Sequence, residues 1–329
     1  MKIGWIEISQ KKYGGNVYNE EARKALSNVS NVELILCEAK AFKTIRYLKI
    51  PESLFYLSRL KGKKDLWIRD FYSTLTLPLD KTEGKNIVVI HQDDFSSFSL
   101  LAQPLFKIMQ KIFYKNLKKV DTIITVSEYW NKYFLEKGYR RVHKIYNAFD
   151  LDDYKISDEE VEKFKKEKNL LGSPIIYLGN CQKIKGVVEA YKALKGIKAH
   201  LVTSGIRQVR LPVPNFGPDF KEYLTLLKAS SVVLTMSKMK EGWCRTAHEA
   251  MLLKTPVIGS GQGGMEELLR GGKQIICGDF KELREKVEYL LNNPDLRKKT
   301  GEDGYNFAKN FTLERFEKEW FGLTKKIIG

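Results

Sequence analysis

Short uninterrupted apolar runs alternate along the chain with longer stretches in which apolar positions recur every three or four residues. In the first half, Ile3–Ile8, Val32–Cys37, Leu66–Ile68, Ile87–Ile90, Thr122–Val126 and Lys144–Tyr146 predict β-strands. Val17–Ser27, Leu100–Leu117 and Glu128–Lys137 predict helices between them. Residues 87–90 (Ile-Val-Val-Ile) and 122–126 (Thr-Ile-Ile-Thr-Val) show no in–out alternation, as strands buried on both faces of a parallel sheet do not. The second half repeats the scheme. Its strands are Ile175–Leu178, Ala199–Thr203, Val232–Met236, Pro256–Gly259 and Gln274–Cys277. Its helices are Val187–Leu194, Lys221–Lys228, Thr246–Leu253, Lys281–Leu291 and two segments after Pro294. Such alternation predicts right-handed crossovers and two open α/β sheets with a cleft between them, ligands binding at the carboxyl ends of the strands. Leu151–Gly172, polar, charged and followed by Ser-Pro, is the best junction between residues 1–150 and 151–310.

Composition adds a charge asymmetry. The 329 residues carry a formal net charge of +17, and the 43% hydrophobic fraction suits packed cores. Residues 39–64 are net +7 and residues 95–120, with five lysines and no acid, are net +5. Both windows lie in the first half and also hold apolar residues: Phe42, Tyr47, Leu48, Leu54, Phe55, Tyr56 and Leu57 in one, and Phe95, Phe98, Leu100, Leu101, Leu105, Phe106, Ile108, Ile112, Phe113 and Leu117 in the other. Four readings stand side by side: a solvated lysine face over helices that bury their apolar sides, an anionic membrane surface, nucleic acid, and phosphorylated substrates. No apolar run reaches the ~18 residues of a membrane span. Cys37, Cys181, Cys244 and Cys277 form no close pair, and the four histidines are scattered, so neither a disulfide framework nor a zinc site of short spacing is expected. A reduced, cytoplasmic chain follows as the expectation, peripheral at the inner face of a membrane if the lipid reading holds.

The candidate chemistry is densest at Glu241-Gly-Trp-Cys-Arg-Thr-Ala-His-Glu249-Ala-Met, followed by the Pro256-Val-Ile strand and Gly263-Gly264-Met-Glu-Glu267. Gly242 lets the backbone turn close to a ligand, and a helix starting near Cys244–Thr246 offers its N–H groups to an anion. Glu249, one turn in, reaches hydroxyls beside that anion, which describes a nucleotide ribose site.

This ordered set resembles the retaining glycosyltransferases of the GT-B fold, particularly family 4. Glu241, Glu249, Ala250, Met251, Pro256, Val257, Ile258, Gly263, Gly264 and Glu267 fall in that family's order and spacing. The likeness extends to Tyr177-Leu-Gly179-Asn-Cys-Gln-Lys-Ile-Lys185-Gly186, where the family has Gly-Arg and then Lys-Gly around the donor diphosphate. Lys185 matches; Asn180 stands where the Arg usually is, and Arg245 is the candidate to supply the missing charge. Gly14-Gly15 after the first strand resembles the family's glycine pair near the donor phosphates. Thr125-Val-Ser127-Glu128, with Ser127 as an N-cap, and Asn147-Ala-Phe-Asp150 resemble structural turns of the family. His91, at the carboxyl edge of the 87–90 strand, stands where members often carry a His against the transferred sugar. Asp93 and Asp94 follow it, facing an acceptor or capping the turn.

The resemblance implies two Rossmann-like domains facing across a cleft, with the C-terminal helix of about residues 311–329 (Phe316, Trp320, Phe321 and Ile327 its larger apolar residues) packing back on the first. It implies transfer of a hexosyl unit, with retention, from a nucleotide diphosphate sugar with UDP or GDP as the carrier to a hydroxyl acceptor. In that scheme Glu241, His91 and Lys185 are catalytic, and Gly14, Gly15, Asn180, Lys185, Gly242, Cys244, Arg245, Thr246, Glu249, Gly263 and Gly264 bind the donor. No metal and no cofactor beyond the donor are implied, and the acceptor is lipid-linked or anionic. A nucleic-acid-directed protein and a GT-B scaffold without transfer activity are the alternatives.

Overall fold

The computed structural model describes residues 1–8, 14–42, 46–94, 96, 102–217 and 219–329. The chain divides into two compact units, residues 1–148 with 313–329, and residues 149–312.

The first unit runs β1 (Lys2–Glu7), α1 (Gly14–Ser27), β2 (Asn31–Leu36), α2 (Arg46–Ser58), β3 (Lys61–Arg69), α3 (Phe71–Leu75), β4 (Lys81–Ile90), α4 (Gln103–Leu117), β5 (Thr122–Thr125), α5 (Glu128–Glu136) and β6 (Val142–Lys144). All pairings are parallel, in the order β2-β1-β3-β4-β5-β6. The β1–β2 connection travels one way along the sheet and every later one the other way. With right-handed crossovers this puts α1 on one face and α2 to α5 on the opposite face. The packing agrees: Phe113 of α4, Trp130 and Phe134 of α5, and Phe71 and Leu75 of α3 share a cluster with Val88 and Ile90 of β4. Leu57 of α2 joins Ile6 and Trp67 on that side. Ser127 caps α5 as the sequence indicates, accepting from Trp130 N at 3.4 Å.

The second unit runs α6 (Asp158–Glu167), β7 (Ile175–Asn180), α7 (Val187–Leu194), β8 (His200–Ser204), β9 (Asn215–Phe216), α8 (Phe220–Ala229), β10 (Val232–Thr235), α9 (Arg245–Leu252), β11 (Val257–Gly259), α10 (Met265–Gly271), β12 (Ile275–Ile276), α11 (Leu283–Asn292) and α12 (Pro294–Ala308). Its parallel order is β12-β11-β10-β7-β8-β9, with the strand direction of travel reversing between β7 and β10. That reversal is the position at which doubly wound sheets open a crevice for ligands.

The last helix, α13 (Leu313–Ile328), belongs to the first unit, where it packs on α1. Phe316 and Trp320 are its buried anchors. Trp320 lies 5.8 Å from Trp5 of β1, and Phe316 lies edge-on to Tyr18 of α1 at 5.1 Å. Phe321, grouped with them in the sequence, is exposed because it follows Trp320 and turns to the outer face.

Two segments differ from the sequence reading. Residues 151–172 are not a bare connector: they hold α6, started by a capping box in which Ser157 and Glu160 satisfy each other's backbone N–H groups. Val161 and Phe164 of α6 are buried, and α6 packs on α8. The basic window 39–64 holds the helix α2, with Pro51 inside it. The proposed helix start at Leu100, with Phe95, Phe98 and Leu101, lies outside the described residues, as do the side chains of Arg46 and Tyr47.

Candidate active site

In the second unit the site is built at the strand ends flanking the switch point. After β7 the chain turns through Lys183–Lys185 to Gly186, which has φ 72°. A Cβ at Gly186 would lie 2.1 Å from the Met236 carbonyl oxygen, so only glycine lets this loop pass over the end of β10. A backbone bond from Lys238 N to Ile184 O, 2.9 Å, fixes the loop there. Lys185 then meets Glu241, with Nζ 2.6 Å from Oε1. Burial works against the lysine charge, but Glu241 beside it outweighs this and holds its ammonium above the ordinary value.

Glu241 is itself pinned by backbone. Its N–H donates to Gln262 O at 3.1 Å and its carbonyl accepts from Gly264 N at 2.9 Å, forming a bridge between Glu241 and Gly263. Gly263 has φ 70°, and a Cβ there would lie 2.5 Å from the Glu241 carbonyl oxygen. The Gly263-Gly264 pair thus holds the loop carrying the first glutamate of the motif.

Residue 244 precedes α9 in the left-handed conformation (φ 69°) with no side-chain cap. Such a start leaves N–H groups of the first helical turn without intrahelical acceptors. Burial pushes the Cys244 thiol up to about 12, so it is not a thiolate nucleophile. Glu249, one turn along, is buried with Arg245 Nε 3.6 Å from its Oε1. The Tyr223 hydroxyl donates to Glu249 Oε2 at 3.0 Å and lies 3.1 Å from Thr246 Oγ1. Burial raises the Glu249 carboxyl above the ordinary range, against the opposing pull of Arg245 and the Tyr223 hydrogen bond. The Arg245 guanidinium also lies over the Phe149 ring, 4.4 Å from its centre.

Asn180, at the end of β7, turns onto its own unit. Its Oδ1 is 3.3 Å from Ser204 Oγ and 3.4 Å from the Tyr177 hydroxyl, and those two hydroxyls are 2.7 Å apart. Gly205, at φ 78°, leaves room for it: a Cβ there would come within 3.1 Å of Oδ1.

Sequence reasoning missed three residues here. Tyr223 comes from α8, far along the chain, and no local motif marks it. Trp243 and His248 support the start of α9: Trp243 Nε1 donates to His248 Nδ1 at 3.1 Å. The His248 proton therefore sits on Nε2, which donates to Ala308 O at 3.1 Å, and the ring stacks on Phe149 at 3.9 Å. A tryptophan and a histidine five apart in an N-terminal helical turn are the only trace of this in the sequence.

In the first unit, His91 follows β4 and is held by α1. Its Nε2 lies 3.0 Å from Asn19 Oδ1 and its ring is edge-on to Tyr18 at 5.2 Å. Nε2 faces a carbonyl oxygen and so carries the proton, leaving Nδ1 with its lone pair. Gly15 admits the ring: a Cβ there would lie 3.0 Å from His91 Cδ2. Burial lowers the His91 pKa to about 4, so the imidazole is neutral across the physiological range. Gly14 opens the same helix and is exposed. Asp93 neither caps nor solvates its turn: its partners are side chains of α4 and α5. Asp93 is buried and accepts from Gln110 Nε2 at 2.8 Å, from the Tyr133 hydroxyl at 3.3 Å and from the Tyr114 hydroxyl. Asp94 Oδ1 accepts from Ser96 N in a turn.

Among the described residues, no three His, Cys, Asp or Glu side chains converge as metal ligands do, and no helix is long and apolar enough to cross a membrane.

Two parallel six-stranded sheets with these strand orders define a GT-B fold, and the comparisons agree. Anabaena HepE, solved in complex with UDP and glucose, matches with a TM-score of 0.77 at 16% identity over 99% of this chain and 100% of that one. Sucrose-phosphate synthase from Thermosynechococcus elongatus matches with 0.81 at 17% identity, over 99% and 98%. Residues 158–307, within the second unit, match the model of the family described as glycosyl transferases group 1. In sequence, trehalose synthase of Pyrococcus horikoshii is 28% identical over 201 residues, 56% of this chain and 48% of that protein. The chain spans about half the length of the curated relatives it matches.

Proposed function

We propose that the chain transfers a hexosyl unit, with retention of configuration, from a nucleoside diphosphate sugar to a hydroxyl acceptor that is anionic or lies at an anionic surface. The observation that carries this reading is the pairing of Lys185 with Glu241 and of Arg245 with Glu249 at the switch point of the second sheet. A diphosphate needs cations, and a ribose and a hexose need hydrogen-bond acceptors; these two pairs supply both within one unit. The solved complex of HepE with UDP and glucose supports a nucleotide sugar as the donor class.

In this scheme Lys185, Arg245 and the start of α9 stabilise the diphosphate as it leaves with the bonding electrons of the sugar C1–O bond. Donor binding draws the Lys185 ammonium from Glu241 toward phosphate and frees the carboxylate to accept from sugar hydroxyls. Glu249, kept in place by Tyr223, accepts from the ribose hydroxyls. Gly14 and Gly15 give the first unit a surface without side chains beside His91, whose neutral ring offers an uncharged polar contact to the sugar. Gly242, Cys244 and Thr246 contribute backbone to the donor site, and Gly263 and Gly264 hold Glu241 in it.

The test is donor hydrolysis measured across a panel of UDP- and GDP-sugars. Turnover of at least one, abolished by Lys185→Ala, supports the reading; no turnover and no nucleotide binding with any of them overturns it. One observation favours the second reading, a scaffold without transfer activity: Asn180 puts a neutral amide, its oxygen held by Ser204 and Tyr177, at the position of the family's arginine. Nucleotide binding without turnover on the same panel would select that reading.

A further inference from the structure

We propose that the first unit docks on an anionic lipid bilayer through the outer face of α4. The helix carries three longitudinal strips. Phe106, Met109, Phe113 and Leu117 face the sheet and are buried. Leu105, Ile108 and Ile112, spaced three and four apart, form a second strip and are 58%, 57% and 44% exposed. Lys107, Lys111 and Lys115, four apart, form a third. At 3.6 residues per turn the exposed aliphatic strip lies between the buried strip and the lysines. Exposed large apolar residues scattered singly need no explanation, but three in register on one helix beside a row of cations do.

Each half of this face excludes a simpler occupant. A polyanion in water would meet the lysines but leave the leucine and isoleucines unused. Single-stranded nucleic acid would call for aromatic side chains to stack on, and the exposed strip is aliphatic. An apolar protein groove would have no use for three lysines. A bilayer surface takes both: the aliphatic tips enter below the headgroups and the lysine stems lie along them with their ammonium groups at the phosphates.

The neighbouring elements extend the surface. No acidic residue occurs between positions 95 and 120, and Lys118 and Lys119 follow the helix. On the same side of the sheet, α2 exposes Leu48 and Phe55, and the Arg59 guanidinium lies over Phe55 at 4.2 Å. On its inner side α4 supplies Gln110 and Tyr114 to Asp93, two residues past His91. The helix that meets the lipid thus also fixes the loop that follows the His91 imidazole of the first unit, and docking is independent of whether sugar transfer occurs.

The experiment is co-sedimentation of the full chain with phosphatidylcholine vesicles, with and without phosphatidylglycerol, at matched ionic strength. The wild type is expected to partition onto the anionic vesicles and to be released by salt. Lys107→Gln/Lys111→Gln/Lys115→Gln lowers the partition coefficient roughly 100-fold, at about fivefold per lysine. Leu105→Ser/Ile108→Ser/Ile112→Ser lowers it at least about 10-fold. Both variants change exposed positions and keep the wild-type melting temperature. A wild type that stays in solution with anionic vesicles overturns the proposal, as do variants that bind like it. Two further outcomes also overturn it: double-stranded DNA binding at the same salt that the serine variant retains, and a wild-type dimer that the serine variant converts to monomer.

Discussion

The two sheets are alike in build, each six-stranded and all parallel, yet their strand ends carry different chemistry. At the switch point of the second unit, charged side chains meet in two pairs: Lys185 faces Glu241 and Arg245 faces Glu249. In the first unit the strand end at His91 is uncharged, an imidazole fitted against Gly15, Asn19 and Tyr18. The first unit does bury a charge pair, Arg69 with Asp80 at 2.8 Å, but that one is closed. Asn86, Thr82 and the Ser73 carbonyl take further Arg69 donors, so that each of its three nitrogens has a partner. Buried ion pairs thus play two roles in one chain. A pair whose every polar atom is satisfied internally locks a fold, and a pair at a sheet's switch point, partly open to solvent, has the access that the proposed exchange of partners with a ligand requires.

The largest expected effect breaks the closed pair. Asp80→Ala leaves the Arg69 charge buried and unpaired and should destabilise the protein by about 3–5 kcal/mol in denaturant unfolding. Replacing both, Arg69→Met with Asp80→Leu, should recover most of that loss; equal destabilisation by the single and double changes would contradict the closed-pair account. The open pair should behave in the opposite way. Glu241→Gln should cost roughly 100- to 1000-fold in kcat, equivalent to about 3–4 kcal/mol of transition-state stabilisation. Its unfolding free energy should stay within about 1 kcal/mol of wild type, since Lys185 retains access to water.

A smaller effect tests the uncharged strand end. His91→Asn should lower kcat about tenfold, the worth of one polar contact to the sugar. The pH dependence has a fixed sign. The folded-state pKa is about 4 against an ordinary 6.5, so the unfolded chain takes up a proton at higher pH than the native one. The neutral-imidazole contribution to stability is therefore complete above about pH 6.5, falls as pH drops toward 4 and changes no further below that. Thermal melts between pH 7 and 4 should show this loss in the wild type and less of it in His91→Asn. The smallest effect is expected at Asn180. Asn180→Ser should change donor KM less than about threefold, because its amide oxygen is held by the Ser204 and Tyr177 hydroxyls.

Local pattern made much of this legible. The apolar runs at 87–90 and 122–126 locate the ends of β4 and β5, and the helix 187–194 is read to the residue. The glutamate motif, the glycine pair at 263–264 and Lys185 are adjacent in sequence to the strands that position them, so their joint presence at one sheet edge could be read without coordinates. What escaped has identifiable causes. The polar beginnings of β3 and β4 pair with each other, Lys61 opposite Lys81 and Lys63 opposite Glu83, where no apolar run marks them. Pro51 and the surrounding lysines hid α2, and the charge of Leu151–Gly172 outweighed the Ser157–Glu160 cap that announces α6. Tyr223 was illegible because its partnership with Glu249 depends on how α8 packs beside α9. Asn180 was legible as a departure from the family pattern, but where its side chain points was not.

The central claim is that the second unit holds a nucleoside diphosphate through Lys185 and Arg245 while Glu249 holds its ribose. Isothermal titration of UDP and GDP into the full chain, wild type against Glu249→Ala and Lys185→Ala, tests it most directly. The account predicts that the wild type binds at least one of the two nucleotides and that each variant weakens that binding by about tenfold or more, the scale of a lost charge-assisted hydrogen bond. A wild type that binds neither, or a Glu249→Ala variant that binds as tightly as the wild type, would contradict it.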